Sequence, residues 1–408
     1  MASAFDMNIL FIHDTPNEFS GAESVLRAEM EVLEKNGHEV YLCSFIKTGV
    51  DMIFDSKGHA HIFIESKYKV IRGMEKIIVN YRLIKWLRAV IADAKPDIIH
   101  IHNNYLYSVS VLLALPKDIP VIQTVHDCGL FCASLWGIEK KTQKECSCCY
   151  GMKSVFTGCY PLWRYILFYL RNKLFLSLTR QRVSYFITPS LYLMRRLKEN
   201  GYGLLEHIPS MIETHVNPSQ NKWMRRNKLL YIGRLSPEKG IAILIRTIHI
   251  LLKRRVRCEL DIIGRGSQRQ ELLSLANHLN LNGHVRFLGY IRPSDLWRYY
   301  AQAKILVYPS LWAENCPVTI LEAMSHGVPV VASRMGGLPE LIEDNVTGML
   351  FNPTDSFNLA DKIEYLLKYP TTLENMSHKL IKRYQRKYTP EVHYNKLIKV
   401  YHQIINEH

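Results

Sequence analysis

The stretch Lys228-Leu229-Leu230-Tyr231-Ile232-Gly233-Arg234-Leu235-Ser236-Pro237-Glu238-Lys239-Gly240 joins an apolar run to a loop that carries glycine, proline and two cations five positions apart. It reads as a strand–loop–helix junction. The same punctuation recurs downstream at Glu259-Leu260-Asp261-Ile262-Ile263, His284-Val285-Arg286-Phe287-Leu288, Lys304-Ile305-Leu306-Val307-Tyr308 and Val328-Pro329-Val330-Val331-Ala332. Upstream it appears at Asn8-Ile9-Leu10-Phe11-Ile12, His38-Glu39-Val40-Tyr41-Leu42-Cys43, Asp97-Ile98-Ile99-His100-Ile101-His102, Val121-Ile122-Gln123-Thr124-Val125 and Val183-Ser184-Tyr185-Phe186-Ile187. Short, continuously apolar strands that alternate with helical segments predict parallel sheets buried on both faces. The series restarts after a polar interval, so the reading is α/β with two doubly wound sheets in series.

Length agrees, because 408 residues exceed the size at which one hydrophobic core stops growing. The expected boundaries are an amino-terminal domain over residues 1–210, a polar linker over 211–227 and a carboxyl-terminal domain over 228–389. Residues 390–408 read as a final helix with an apolar stripe at Val392, Leu397, Ile398, Val400, Tyr401, Ile404 and Ile405, able to pack back on the first domain. With 48% hydrophobic and 22% charged residues the chain is globular. Lysine and arginine exceed the acids by 52 − 37 = 15, which points to a polyanionic partner: nucleic acid, anionic lipid or a phosphorylated small molecule. No basic segment followed by an apolar one opens the chain, and Leu162 to Leu178 is interrupted by Arg164, Arg171 and Lys173, so neither a secretory leader nor a spanning helix is expected.

In parallel α/β sheets, ligands bind beyond the carboxyl ends of the strands, where loops expose amide groups and helices begin. Arg234 and Lys239 stand in such a loop, a planar donor fork and a point charge suited to a diphosphate whose charge grows as it leaves. A second loop runs from Pro309 through Glu314 to Pro317, followed by Val318-Thr319-Ile320-Leu321-Glu322. Pro317 suits the first helical position, which predicts unpaired amides at Val318, Thr319 and Ile320 ready for a phosphate. A carboxylate accepts two hydroxyl protons at once, so Glu322 fits a ribose diol and Glu314 a sugar hydroxyl.

These residues carry a resemblance. Gly233-Arg234-x4-Lys239-Gly240, Glu314-x7-Glu322 and Gly336-Gly337-Leu338-Pro339-Glu340-Leu341-Ile342 with Thr347-Gly348 look like the retaining glycosyltransferases of family 4. Phe19-Ser20-Gly21-Ala22-Glu23 and Gly37-His38-Glu39-Val40 resemble that family's amino-terminal glycine loop and second strand, with Ser20 where many members have a further glycine. The match is dense over residues 229–352 and sparse over 8–127. It implies the GT-B fold, two Rossmann-like doubly wound domains facing a central cleft, and a hexosyltransferase-like enzyme that moves a sugar from a nucleotide-diphosphate sugar to a saccharide or lipid-linked hydroxyl. By the same resemblance Arg234 and Lys239 hold the pyrophosphate, Glu322 the ribose and Glu314 the transferred sugar, while Gly21 and Val318 offer backbone amides to the donor. His126, after the strand ending at Val125, corresponds to the histidine that contacts the donor sugar near its reacting carbon. The family implies no cofactor and no catalytic metal, since the two cations stand in for one.

Six of the nine cysteines fall between Cys128 and Cys159, and Cys132, Cys146, Cys149 and Cys159 include a Cys-x2-Cys spacing compatible with a structural metal, against a bland cluster of reduced thiols. Between Lys153 and Asn200 stand nine cations (Lys153, Arg164, Arg171, Lys173, Arg180, Arg182, Arg195, Arg196, Lys198) among aromatic and aliphatic residues, the composition of a helix lying on an anionic membrane. The expected setting is therefore cytoplasmic, peripheral on the inner membrane face, in cell-surface polysaccharide or glycolipid synthesis. The competing readings are a nucleotide-sugar epimerase or a glycan phosphorylase on the same frame, and a basic membrane or nucleic-acid binding protein. Zinc-finger spacing, an aromatic RNA-binding strand and a Gly-x-Gly-x-x-Gly after the first strand are all missing, so neither nucleic acid nor a dinucleotide is an expected partner.

Overall fold

A computed structural model describes residues 6–14, 21–46, 60–64, 79–105, 107–132, 135, 137–139, 146, 152–159, 161–213 and 227–408. The chain divides into two compact units, one comprising Met1–Ser210 with Pro390–His408, the other Met211–Thr389.

The first unit runs β1 (Asn8–His13), α1 (Gly21–Lys35), β2 (Glu39–Ile46), β3 (Ala60–Ile64), α2 (Tyr81–Ala94), β4 (Ile98–Asn103), α3 (Ser108–Ala114), β5 (Val121–Thr124), α4 (Leu162–Arg182), β6 (Tyr185–Thr188), α5 (Leu191–Glu199) and β7 (Leu205–His207). All seven strands pair in parallel, in the order β3-β2-β1-β4-β5-β6-β7. Ile9 to Ile12 are fully buried, as a strand covered on both faces requires. Local chemistry sets the helix ends: Asn80 Oδ1 accepts from the Leu83 amide at 3.0 Å to start α2, and Lys95 in a left-handed conformation (φ 43°) stops it. The order reverses between β1 and β4, the switch point at which loops on adjacent strands diverge.

The second unit runs β8 (Lys228–Ile232), α6 (Ile241–Lys253), β9 (Glu259–Ile263), α7 (Arg269–His278), β10 (Val285–Gly289), α8 (Pro293–Gln302), β11 (Ile305–Tyr308), α9 (Val318–Ser325), β12 (Val330–Ser333), β13 (Gly348–Phe351), α10 (Ser356–Lys368) and α11 (Pro370–Lys387). Its parallel order is β10-β9-β8-β11-β12-β13, with the switch between β8 and β11. Both loops that the sequence marked for chemistry leave these two neighbouring strands.

β3, β7 and β13 escape sequence reading. β7 is three partly exposed residues, and β13 is four residues behind a Thr-Gly turn; neither shows a long apolar run. Met211 and Ile212, read as the start of the linker, are buried, and Ile212 packs in one core with Leu230 and Tyr300 while its carbonyl accepts from the Tyr384 hydroxyl at 2.9 Å. Residues 214–226 of the expected linker lie outside the described residues. The final helix, α12 (Pro390–Glu407), belongs to the first unit, where Leu397, Val400, Tyr401 and Ile404 share a core with Leu26, Met30 and Leu33 of α1.

In α4, Phe175, Leu178 and Thr179 face inward, whereas Leu162, Trp163, Ile166, Leu170 and Leu174 are exposed. Two of the nine cations counted between Lys153 and Asn200 turn inward. Arg171 donates to the Tyr105 carbonyl at 2.7 Å and the Ser108 hydroxyl at 3.0 Å, and the buried Arg196 donates to the Cys146 carbonyl and lies over the Phe131 ring. The side chain of Arg164 is outside the described residues.

Candidate functional site

At the switch point of the second unit, the loop after β8 folds into one turn of 3-10 helix, Pro237–Lys239, and leaves it through Gly240 at φ 66°. A side chain at Gly240 would place its Cβ 2.0 Å from the Pro309 carbonyl oxygen, so the two loops approach at a distance that glycine alone allows. Backbone bonds extend the contact: Leu311 donates to Glu238 O at 2.7 Å, and Leu235 donates to Arg265 O, in the loop after β9, at 2.8 Å. The turn after β12 joins them, the Gly337 amide donating to Glu314 O at 2.6 Å. The strand ends therefore form one continuous backbone scaffold.

On it, Lys239 Nζ donates to Glu314 Oε1 at 2.6 Å. Ser310 Oγ and the Tyr308 hydroxyl donate to the same oxygen at 2.7 and 3.2 Å. Three donors on Oε1 orient the buried carboxylate and leave Oε2 outside this set. Lys239 also lies over Trp312 and Tyr308, 5.3 and 5.8 Å from the ring centroids, so its ammonium is enclosed by π faces as well as by the carboxylate. Arg234 is different: its side chain is 69% exposed and its nearest acid, Glu238, stands 4.0 Å away. The structure thus brings Lys239 and Glu314 together and leaves Arg234 projecting from the same loop.

The helix start differs from the sequence expectation in one respect. Pro317 is the N-cap of α9 and Val318 its first residue. The Ile320 amide donates to Pro317 O at 3.0 Å, so Val318 and Thr319, not all three residues, keep their amides outside the helical ladder. Glu322, one turn in, receives the Tyr300 hydroxyl on Oε2 at 2.6 Å. Burial pushes its carboxyl up to about 7, against which the tyrosine bond works only in part. Tyr300, Ser310 and Tyr308 were not singled out from sequence. The last two flank Pro309, so their position at the end of β11 was the available signal; Tyr300 lies in the last turn of α8 and gave none.

In the first unit, Gly21 opens α1 and is exposed, while Phe19 and Ser20 lie outside the described residues. His126 follows β5 and is half-buried; its Nε2 is 2.9 Å from His102 Nδ1. Burial, and then the neighbouring His102, hold its imidazole well below the usual histidine range, so the ring is neutral at physiological pH. Asp127 Oδ1 accepts from the Tyr105 hydroxyl and the Gly129 amide, both at 2.7 Å. Behind His126 lies a polar chain that reading from sequence missed. Its signal was His100-Ile101-His102, two histidines on one face of an otherwise apolar strand.

Of the four cysteines considered for a metal, Cys149 lies outside the described residues, Cys132 and Cys146 are buried, and Cys159 is half-buried. Among the described residues no set of cysteines brings three ligand atoms within reach of one ion; the grouping that does is Glu29, His100 and His102.

The family model for glycosyltransferase family 4 matches residues 19–216, and that for glycosyl transferases group 1 matches residues 214–387. An uncharacterized glycosyltransferase of Methanocaldococcus jannaschii is 26% identical over 83% of this chain and 82% of its own length. A GDP-mannose-dependent alpha-(1-6)-phosphatidylinositol monomannoside mannosyltransferase of Mycolicibacterium smegmatis is 32% identical over 41% of this chain and 48% of its own. Among solved structures, Anabaena HepE in complex with UDP superposes with a TM-score of 0.72, at 19% identity, over 97% of this chain and 99% of that one.

Proposed function

From the premise that this chain is a family 4-like glycosyltransferase of the GT-B fold, an enzyme, we propose that it moves a sugar, with retention of configuration, from a nucleotide-diphosphate sugar to a saccharide or lipid-linked hydroxyl. The observation that carries the reading is the Lys239–Glu314 pair, a cation and an oriented carboxylate set by three loops at the strand ends of the second unit. Two similarities support the donor class: one relative is named for its dependence on GDP-mannose, and one structural neighbour holds UDP.

In this reading Lys239 and Arg234 take up the charge that grows on the departing diphosphate, with the amides of Val318 and Thr319 and the backbone at Gly21 as further donors. Glu322 accepts the ribose hydroxyls. Glu314 accepts a hydroxyl of the transferred sugar through Oε2, since Oε1 is already engaged, and His126 contacts the same sugar. The acceptor oxygen bonds to the anomeric carbon on the face from which the phosphate oxygen leaves, and that oxygen takes the acceptor's proton. The protein contributes position and charge, with no cofactor. Peripheral attachment to an anionic membrane, and a role in cell-surface polysaccharide or glycolipid synthesis, complete the proposal. The outward apolar row of α4 supports the first.

A panel of nucleotide diphosphates and their sugars, read by thermal shift, tests the donor class, because a ligand at a hundred times its Kd stabilises the native state by about 2.7 kcal/mol. One base should raise the melting temperature, and Lys239→Ala should lose most of that shift. Glu314→Ala should slow transfer more than it weakens nucleotide binding. A panel without any stabilising member would reject the reading.

A further inference from the structure

We propose that Glu29 and His102 are positioning residues that hold the His126 ring in one tautomer and one orientation, through a buried chain of hydrogen bonds running from α1 across β4 to the loop after β5. The inference rests on the reading of His126 as a group that contacts the transferred sugar.

The chain is continuous. Glu29 Oε2 lies 2.9 Å from His102 Nε2, and His102 Nδ1 lies 2.9 Å from His126 Nε2. Glu29 and His102 are 1% exposed, so water does not compete for these bonds. The other oxygen of Glu29 lies 3.0 Å from His393 Nε2 of α12, and His393 Nδ1 lies 2.7 Å from the Pro209 carbonyl. A carbonyl only accepts, so Nδ1 of His393 donates. Burial alone would push the Glu29 carboxyl up, but His102 and His393 together hold it well below the usual range. Glu29 is therefore an anion whose two oxygens face ring nitrogens of His102 and His393.

Proton positions follow. An ionised Glu29 requires a proton on Nε2 of His102. In the proposed chain His102 carries that one ring proton and presents Nδ1 as an acceptor, which puts a proton on Nε2 of His126 and makes Nδ1 the acceptor nitrogen of that ring. A carboxylate thus decides, two bonds away, which face of His126 accepts and which donates. The arrangement parallels the way an outer carboxylate fixes a histidine that ligates a metal.

Glu29, His100 and His102 also bring three ligand atoms within 4.8 Å of one another. Each nevertheless has hydrogen-bond partners. His100 meets the Tyr401 and Thr124 hydroxyls at 2.7 Å each, and His102 meets Glu29 and His126. Hydrogen bonding accounts for both nitrogens of each ring, so the cluster is read as a polar chain and not as an ion's ligand set.

The test uses the full chain with 15N-labelled histidine. Long-range proton–nitrogen correlation should show His126 as the Nε2–H tautomer, and His102→Leu should broaden or shift that signal. The Nδ1–H tautomer in the unaltered protein, or an unchanged His126 signal in His102→Leu, would overturn the chain. A shift of the His100 and His102 signals saturating at one equivalent of added zinc would overturn it in favour of a metal. Transfer supplies the second arm. His102→Leu should lower kcat on the order of ten- to a hundredfold with the donor KM nearly unchanged, the size expected for an outer partner. His102→Asn, whose Oδ1 can still accept from His126, should recover part of that loss; equal losses in both variants would count against positioning. Normal turnover by His126→Ala would remove the reading on which the inference rests while leaving the tautomer result standing, so the two failures are distinguishable.

Discussion

Glu322 shows how burial alone can give one carboxylate a pH-dependent task. Its ordinary value of 4.5 rises to about 7 because the charged form loses water, and the Tyr300 hydroxyl offsets only part of this. In the proposed role the ionised form is the one that accepts two ribose hydroxyls. Nucleotide affinity should therefore rise with pH through 7, by about five- to tenfold between pH 6 and 8, with a proton released on binding below 7. The stability term has the opposite sign: the protonated form is favoured in the fold, so this contribution is full below 4.5 and is lost as pH climbs to 7. Titration calorimetry in buffers of different ionisation heat checks both the slope and the proton. Glu322→Gln should flatten the profile, and an unaltered profile would exclude Glu322 as its source. At Gly240 the constraint is steric. Gly240→Ala must hold φ 66° and bring a methyl 2.0 Å from Pro309 O, so the loops should part and stability should fall by about 1–3 kcal/mol. Chemical denaturation measures it, and a loss below a few tenths would show that the loops separate freely.

α4 is an element whose sequence and packing disagree. Leu162, Ile166, Leu170 and Leu174, four apart along one row, are exposed by 50%, 66%, 76% and 44%, while Phe175 packs inward from the other side and Leu178, next in the row, is buried. A helix that buries only one of two apolar faces leaves the other for a non-aqueous neighbour. The exposed Lys173 and Arg180 are suited to anionic head groups. Among the described residues no helix is long and apolar enough to cross a membrane. Ile166→Asp with Leu170→Asp should reduce sedimentation with anionic vesicles several-fold and leave the melting temperature within a degree or two. Unchanged sedimentation would assign the exposed row to something other than lipid. The legible part of this element was its composition. Which cations face inward was not, since Arg171 of α4, like Arg196 of α5, is drawn in by a carbonyl far along the chain, that of Tyr105 for the first and Cys146 for the second.

Across the whole molecule, the two ends of the chain meet in one unit. α12 covers α1 and the sheet of the first unit, and its His393 shares Glu29 with His102. Truncation after Thr389 would uncover Leu26, Met30 and Leu33 and take His393 away from the Glu29 carboxylate. Such a chain should lose the unfolding transition of the first unit, or express insolubly, while residues 211–389 retain theirs; a calorimetric trace like that of the full chain would refute it. The sequence by itself determined the two series of buried strands and the loops in which the candidate residues stand, because those depend on apolar runs and on glycine and proline at neighbouring positions. Only the tertiary structure decided that Lys239 meets Glu314, 75 residues on, that Glu29 meets His102, 73 residues on, and that a helix 364 residues after Glu29 returns to it. A buried polar group takes the partner that packing puts within 3 Å, and no local pattern records which partner that is.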